Sequence, residues 1–196
     1  MNQLLHVSAS PHIKDRVTTS SIMLDVIIAL IPATLFGIIQ FKINALLIIV
    51  TTITTCVLAE YLYERFMKKT ITIKDLSAVV TGLILALNLP STVPLWLPII
   101  GGLFAIIVVK QFYGGLGQNF MNPALAARCF LLISFTGRMT NFAFDGMTSS
   151  TPLAILKNGE SFDLIRVFIG NTAGTIGETS TVALLIGVVY LLIKVI

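Results

Sequence analysis

Apolar residues along this chain fall into long runs separated by short polar segments. Two runs near the amino terminus, 22–39 and 45–61, approach the roughly 20 residues with which an α-helix crosses a ~30 Å hydrocarbon layer. Further apolar runs follow at 76–89, 95–109, 124–135 and 182–194. The pattern predicts an all-α polytopic integral membrane protein with about five to six transmembrane or half-membrane helices.

Two of the apolar runs, 76–89 and 124–135, are shorter than the roughly 17–25 residues that a full crossing needs. Asn88-Leu89-Pro90 ends the first run, and Asn122-Pro123 precedes the second, with asparagine suited to the N-cap and proline to the first helical position. Non-helical backbone at membrane depth is tolerated only where protein or a water-filled cavity satisfies its polar groups. We therefore expect broken helices here, which in transporters surround a site within the membrane.

Composition agrees with a membrane protein, because 56% of the residues are hydrophobic and only 11% are charged. The formal net charge of +4 does not indicate nucleic acid as a partner, since the basic residues are scattered between apolar runs. Two cysteines, Cys56 and Cys129, are predicted to be core residues. Two histidines, His6 and His12, have no metal-ligand spacing.

The basic residues indicate the orientation of the chain through the positive-inside rule. They predict a cytoplasmic N-terminal segment at 1–20, transmembrane helices at 21–135, an extracytoplasmic loop at 136–181, and a last, apparently truncated helix at 182–196. Lys110 is placed at the cytoplasmic end of its helix. The other basic residues used in this assignment are Lys14, Arg16, Lys42, Arg65, Lys68, Lys69 and Lys74.

A glycine-rich stretch connects Lys110 to Asn122. Gly115 and Gly117 begin a G-x-G pattern, but Phe120 occupies the sixth position and no strand precedes it, so this is not a dinucleotide-binding fingerprint. The glycines instead predict a tight elbow that leads into the second broken helix.

The segment from Asp145 to Pro152 contains four consecutive hydroxyl residues, from Thr148 to Thr151. Such a cluster can accept a covalently attached group where a modifying enzyme reaches it. It also suits a simple turn of the chain.

Acidic residues near the ends of the apolar runs leave two interpretations open. Asp25 and Glu60 are either interfacial acids that snorkel or pair with Lys14 or Arg65, or, for Asp25, part of a cation pathway formed with backbone carbonyls of the first broken helix. Glu178, ahead of the last helix, is similarly ambiguous.

Several separated motifs together resemble the RnfD family of the Rnf electron-transport complexes, which is related to the NqrB proteins of the Na⁺-translocating NADH:quinone oxidoreductase. They cover most of the chain. The motifs are Ser10-Pro11-His12, the segments 19–23 and 29–33, the glycine-rich stretch with Asn122-Pro123-Ala124, the hydroxyl segment, and Gly177-Glu178-Thr179-Ser180.

The resemblance implies covalent FMN. In that family a flavin transferase esterifies the flavin phosphate to the last threonine of a pattern resembling Asp-x-x-Ser/Thr-x-x-Thr, which falls on Asp145, Thr148 and Thr151 here. Thr151 is then an attachment point and not a catalyst. Ser149 and Ser150 stand where many relatives have smaller residues, so a neighbouring hydroxyl remains an alternative acceptor.

The implied function is that of a membrane subunit in a complex that passes electrons between ferredoxin and NAD⁺ and exports Na⁺ or H⁺. The implied partners are the other Rnf proteins (RnfA, RnfB, RnfC, RnfE and RnfG), the flavin transferase and membrane lipid, in a bacterial or archaeal plasma membrane. A noncovalent riboflavin is also implied, without assigned residues. The competing interpretations are a channel or solute transporter without flavin and a structural scaffold for other membrane proteins of a complex.

Members of that family are longer and carry a second set of spans. The resemblance therefore covers one half of a two-repeat fold. We expect this chain to be a fragment, an incomplete gene product or a natural short version.

Overall fold

The computed structural model describes residues 18–144, 147–148, 156–157, 168–170 and 172–195. Several residues named above lie outside this part of the chain, and so do the predictions made for them. These are His6, Ser10, Pro11, His12, Lys14, Arg16, Asp145, Ser149, Ser150, Thr151 and Pro152. The described residues are mostly helical.

The longest element, α1 (Thr19–Phe66), is a hairpin of two helical arms. Lys42 breaks the helical conformation with φ 55° and ψ −137°, in a region that non-glycine residues seldom adopt. We call residues 19–41 the first arm and residues 43–66 the second arm. The two arms correspond to the first two apolar runs of the sequence.

Contacts between the two ends of α1 show that the arms are antiparallel. A straight helix of 48 residues would be about 72 Å long. Instead, the Ser20 hydroxyl donates to the carbonyl of Lys74, 3.1 Å away, and the Thr72 amide donates to Glu64, 3.0 Å away. The start of the first arm and the end of the second arm therefore meet at the same side of the molecule.

Shorter elements follow the hairpin. A single 3₁₀ turn (Ile73–Asp75) leads into α2 (Ser77–Leu87), and α3 (Trp96–Leu103) continues as a π-helix (Phe104–Gln111). The remaining elements are α4 (Pro123–Ser134), α5 (Thr136–Met139), the strands β1 (Ala143–Phe144) and β2 (Met147–Thr148), and α6 (Thr181–Val195).

The span count remains a prediction, although the helix lengths agree with broken helices. In the described part of the chain, α1 alone is both long and apolar enough to cross a membrane. The helices α2, α4 and α6 and the joined α3 and π-helix are apolar but shorter. The antiparallel pair β1 and β2 is a small departure from the all-α prediction.

The core lies where the second arm packs against α2. Nearly every residue of α2 is buried, so this helix has protein on all sides. Gly82 brings the two backbones together, since a Cβ built on it would lie 2.9 Å from the Cα of Ile53 and 3.3 Å from the carbonyl oxygen of Thr52. The contact places Gly82 beside the middle of the second arm.

Three local features differ from the sequence predictions. The apolar run 95–109, which contains α3, ends as a π-helix, and irregular turns of this kind often occur at functional sites. Residues 172–180, predicted to belong to the outer loop, include the fully buried Ile176 and pack against the end of α2. Cys56 is buried as expected, but the prediction that Cys129 is a core residue is wrong, because its side chain lies on the exposed face of α4.

We expect Gly82→Ala to destabilise the protein by about 1–3 kcal/mol, because the added methyl group overpacks a backbone contact. Gly137→Ala is the matched control, since Gly137 also lies in a helix but its built Cβ has no atom within 4 Å. Thermal unfolding in detergent measures both. Equal midpoints for the two variants would contradict the close approach of the second arm and α2.

Candidate functional site

A buried ion pair joins the second arm to the π-helix. The Lys110 Nζ lies 2.6 Å from Glu60 Oε1, and the residues are 1% and 0% exposed. Lys110 also donates to the Ser77 hydroxyl at 2.5 Å, and the side-chain amide of Gln111 donates through Nε2 to Glu60 Oε1 at 3.1 Å. Within the described residues, Glu60 Oε2 has no hydrogen-bond partner. One ammonium and one carboxylate thus neutralise each other away from solvent.

The hydrogen-bond network continues from this pair toward a polar cavity. The Ser77 hydroxyl donates to Asp75 Oδ1 at 2.6 Å, and the Ser77 amide donates to the same oxygen at 2.8 Å. Asp75 lines a cavity of about 320 Å³ together with Glu64, Gln111, Gly114 and Gly115. Thr72 holds Glu64 through its hydroxyl and its amide. A continuous polar path therefore links the buried pair to the side where the ends of α1 meet.

The interpretation of Glu60 as an interfacial acid that snorkels or pairs with Arg65 or Lys14 is wrong. Its partner is Lys110, which the sequence had placed at the end of its helix and not inside the protein. The two residues lie 50 positions apart, so no local spacing connects them. The sequence does indicate that Glu60 and Lys110 need partners, because each lies within or beside an apolar run, where an unpaired charge is costly.

A second polar cluster lies where the broken helices meet. Asn88 caps the end of α2, donating to the carbonyl of Ile84 at 2.8 Å and accepting from Arg128 Nη1 at 2.7 Å. Arg128 projects from α4, and its Nη2 lies 3.7 Å from Glu178 Oε1. Glu178 thus has a described partner, which sequence reasoning did not assign.

Backbone hydrogen bonds hold residues 172–180 against the end of α2. The amide of Ile176 donates to the carbonyl of Leu89 at 3.0 Å, and the amide of Gly177 donates to that of Leu87 at 2.8 Å. Gly177 is required for this approach, because a Cβ there would lie 2.7 Å from the Cβ of Leu87. The buried hydroxyl of Thr175 has no hydrogen-bond partner in the described part of the chain.

The start of α4 agrees with the sequence prediction. Asn122 is its N-cap, and its Oδ1 accepts from the amides of Ala124 at 3.0 Å and Leu125 at 3.4 Å. Pro123 occupies the first helical position. The elbow before it needs glycine, since Gly114, Gly115 and Gly117 all have positive φ angles.

Asp25 lies in the first arm, where it contacts the last helix. The Tyr190 hydroxyl of α6 donates to Asp25 Oδ1 at 2.8 Å, and the aspartate is half-buried. The sequence did not predict this partner. A role of Asp25 in a cation pathway stays a prediction.

The hydroxyl segment is described only at its beginning. The β1–β2 pair places Thr148 opposite Ala143, and the Thr92 hydroxyl donates to the carbonyl of Asn141 at 2.5 Å just before β1. Asp145 and Thr151 lie outside the described residues. The donor set suits a phosphoester, because each hydroxyl from Thr148 onward supplies the alcohol oxygen that such a bond requires.

Apolar helices, of which α2 and α4 are short, together with a buried ion pair are consistent with a membrane protein that has a polar interior. The chain matches the NQR2, RnfD, RnfE family over residues 6–196. It therefore belongs to this family, and the resemblance to the RnfD proteins of the Rnf complexes is confirmed.

Curated relatives agree with the family assignment. The chain is 48% identical over 204 residues to the D component of the Na⁺-translocating ferredoxin:NAD⁺ oxidoreductase complex of Acetobacterium woodii, covering 99% of this chain and 64% of the relative. It is 40% identical to the proton-translocating counterpart of Clostridium ljungdahlii, covering 96% and 62%. The D component of an ion-translocating oxidoreductase complex of Rhodobacter capsulatus is 32% identical, with 94% and 62% covered. The chain thus spans somewhat less than two thirds of these relatives.

We expect Lys110→Met to destabilise the protein by about 3–5 kcal/mol, because it leaves Glu60 buried without its partner. The double variant Lys110→Met/Glu60→Leu should recover most of this loss, since both charges are then removed together. Lys74→Met, at an exposed lysine, is the control and should stay within about 0.5 kcal/mol of wild type. Thermal unfolding in detergent compares them, and a single variant as stable as the control would contradict the buried pair.

Proposed function

We propose that this protein is a membrane subunit of an ion-translocating ferredoxin:NAD⁺ oxidoreductase complex of the Rnf type, with covalent FMN on Thr151. The observation that carries the proposal is the family match over residues 6–196, which includes the complete Asp145, Thr148 and Thr151 pattern. The relatives from Acetobacterium woodii and Clostridium ljungdahlii are named as parts of such complexes, which supports the same assignment.

The attachment site is proposed from chemistry and sequence order. A phosphoester needs an alcohol oxygen, Gly146 is small enough to admit the transferase, and Pro152 limits the backbone after the acceptor. In the described residues, the strand β1 follows α5 closely, and its partner β2 contains Thr148, the first of the four hydroxyl residues. In the proposed topology the segment faces the outside of the cell, where the transferase reaches it.

A bound FMN supplies the one- and two-electron chemistry, whereas the polypeptide supplies position and environment. The two cysteines are too few to hold a four-cysteine iron–sulfur cluster within this chain, and the sequence has no dinucleotide fingerprint. We therefore propose that electrons reach and leave this protein through partner subunits, and that the chain is not catalytic alone. A noncovalent riboflavin remains part of the proposal without assigned residues.

The proposed ion pathway includes Asp25. The Tyr190 hydroxyl donates to Oδ1 of this half-buried carboxylate, which leaves Oδ2 to bind a cation or a proton. Ionisable residues at such positions in membrane helices commonly belong to ion or proton pathways. The coupling ion is Na⁺ or H⁺.

Coexpression with the flavin transferase should give a fluorescent band near 21.2 kDa in denaturing electrophoresis. Thr151→Ala should abolish the fluorescence, because the proposed ester oxygen is removed. Ser150→Ala is the matched control and should retain it, since that hydroxyl is adjacent but is not the proposed acceptor.

Intact-mass spectrometry completes this test by measuring the added FMN. Loss of the flavin in Ser150→Ala with retention in Thr151→Ala would move the acceptor to the neighbouring hydroxyl. A colourless, unmodified wild type would instead favour the alternative of a channel or solute transporter subunit without flavin.

Asp25→Asn should reduce Na⁺ or H⁺ transport driven by ferredoxin oxidation in vesicles that contain the assembled complex. Asparagine keeps an oxygen that accepts from Tyr190, so the variant removes the charge and preserves the interhelical hydrogen bond. Tyr190→Phe is the reciprocal control, because it removes the hydrogen bond and keeps the charge. Unchanged transport in Asp25→Asn, at an unchanged electron-transfer rate, would exclude Asp25 from the pathway.

A further inference from the structure

We propose that Arg128 is an electrostatic barrier that prevents uncoupled cations from crossing the junction of the broken helices. The junction consists of the end of α2, residues 172–180 and the face of α4 that carries Arg128. The inference rests on the proposed role of the chain in a cation-translocating complex. It assigns a specificity-determining function to a residue that sequence reasoning did not select.

The guanidinium of Arg128 is fixed in place. Its Nη1 donates to Asn88 Oδ1 at 2.7 Å, and Asn88 is in turn held by its own donation to the carbonyl of Ile84 at 2.8 Å. A positive charge therefore stands at the carboxyl end of α2, where the helix dipole favours it.

The junction without Arg128 would attract cations. Glu178 brings a carboxylate to within 3.7 Å of the guanidinium, and the Thr175 hydroxyl is buried with no partner in the described part of the chain. The carboxyl end of α2 adds a partial negative charge. A carboxylate and a hydroxyl are oxygen ligands that hard cations prefer, so the positive charge of Arg128 opposes a cation that would otherwise stay there.

The depth of Arg128 within the molecule is suited to a barrier. Gly82 contacts the middle of the second arm, and Asn88 lies about 9 Å beyond it along α2, toward the end of the hairpin that carries Lys42. The side chains of Arg128 and Glu178 are 34% and 57% exposed, so the pair is not sealed in the core. Fixed positive charges at constrictions exclude cations from pores by the same electrostatic repulsion.

The test measures passive ²²Na⁺ influx and proton influx into vesicles that contain the assembled complex, without any electron donor. Arg128→Gln should raise one or both influxes on the order of tenfold, the effect of removing a unit charge about 4 Å from an acid in a partly hydrated site. Arg128→Lys, which keeps the charge, should remain near wild type. Native electrophoresis verifies that each variant is assembled.

The double variant Arg128→Gln/Glu178→Gln separates electrostatics from loss of packing. Its influx should return toward the wild-type value, because the attracting carboxylate is removed together with the repelling guanidinium. An influx equal to that of Arg128→Gln would show a structural leak and overturn the proposal, as would an assembled Arg128→Gln complex with wild-type influx.

Glu178→Gln alone tests the proposal even where Arg128→Gln does not assemble. With the guanidinium uncompensated, cation influx should stay at or below wild type while chloride influx rises. A rise of cation influx in this variant would overturn the barrier. Donor-driven transport by wild type is a separate readout, so its absence would refute the proposed function while the passive comparison still decides the role of Arg128.

Discussion

A helix that ends inside a protein leaves backbone carbonyls that water cannot reach, and the rest of this structure depends on how those groups are satisfied. At the end of α2 the carbonyls of Leu87 and Leu89 accept from the amides of Gly177 and Ile176. Residues 172–180 therefore supply the hydrogen-bond donors that the carbonyls at the end of α2 would otherwise lack. Without Gly177, the side chain of Leu87 would block the contact.

The other end of α2 is held by side chains. Ser77, its first residue, connects the buried pair of Lys110 and Glu60 to Asp75. The π-helix carries Lys110, whose ammonium reaches Glu60 in the second arm. The Lys110–Glu60 pair is costly to desolvate, but breaking it is costlier, so it makes the position of α2 relative to α1 and the π-helix specific.

The sequence predicted the apolar helices and the start of α4 well, because these depend on local rules of length, hydrophobicity and capping. Asn122 illustrates this, since its side chain accepts from amides within three residues, and Pro123 occupies the first helical position. It did not predict the partners of Glu60, Asp25 or Arg128, which lie 40 to 165 positions away along the chain. Such pairs are set by helix packing, which hydrophobic periodicity does not specify.

A pair of opposite charges lies near each end of α2, and these two pairs constrain any route for ions along the helix. Lys110 compensates Glu60 at one end, and Arg128 faces Glu178 at the other. The first pair is fully buried, whereas the second is partly exposed and more widely separated, at 3.7 Å against 2.6 Å. The cost of separating charges rises with burial, so Glu178 separates from Arg128 more readily than Glu60 separates from Lys110. Asn88 holds the guanidinium independently of Glu178, so the positive charge of Arg128 stays in place when that pair separates. In the proposed ion-translocating role, the charge that can act on a passing cation is therefore Arg128, because Lys110 is already neutralised by Glu60.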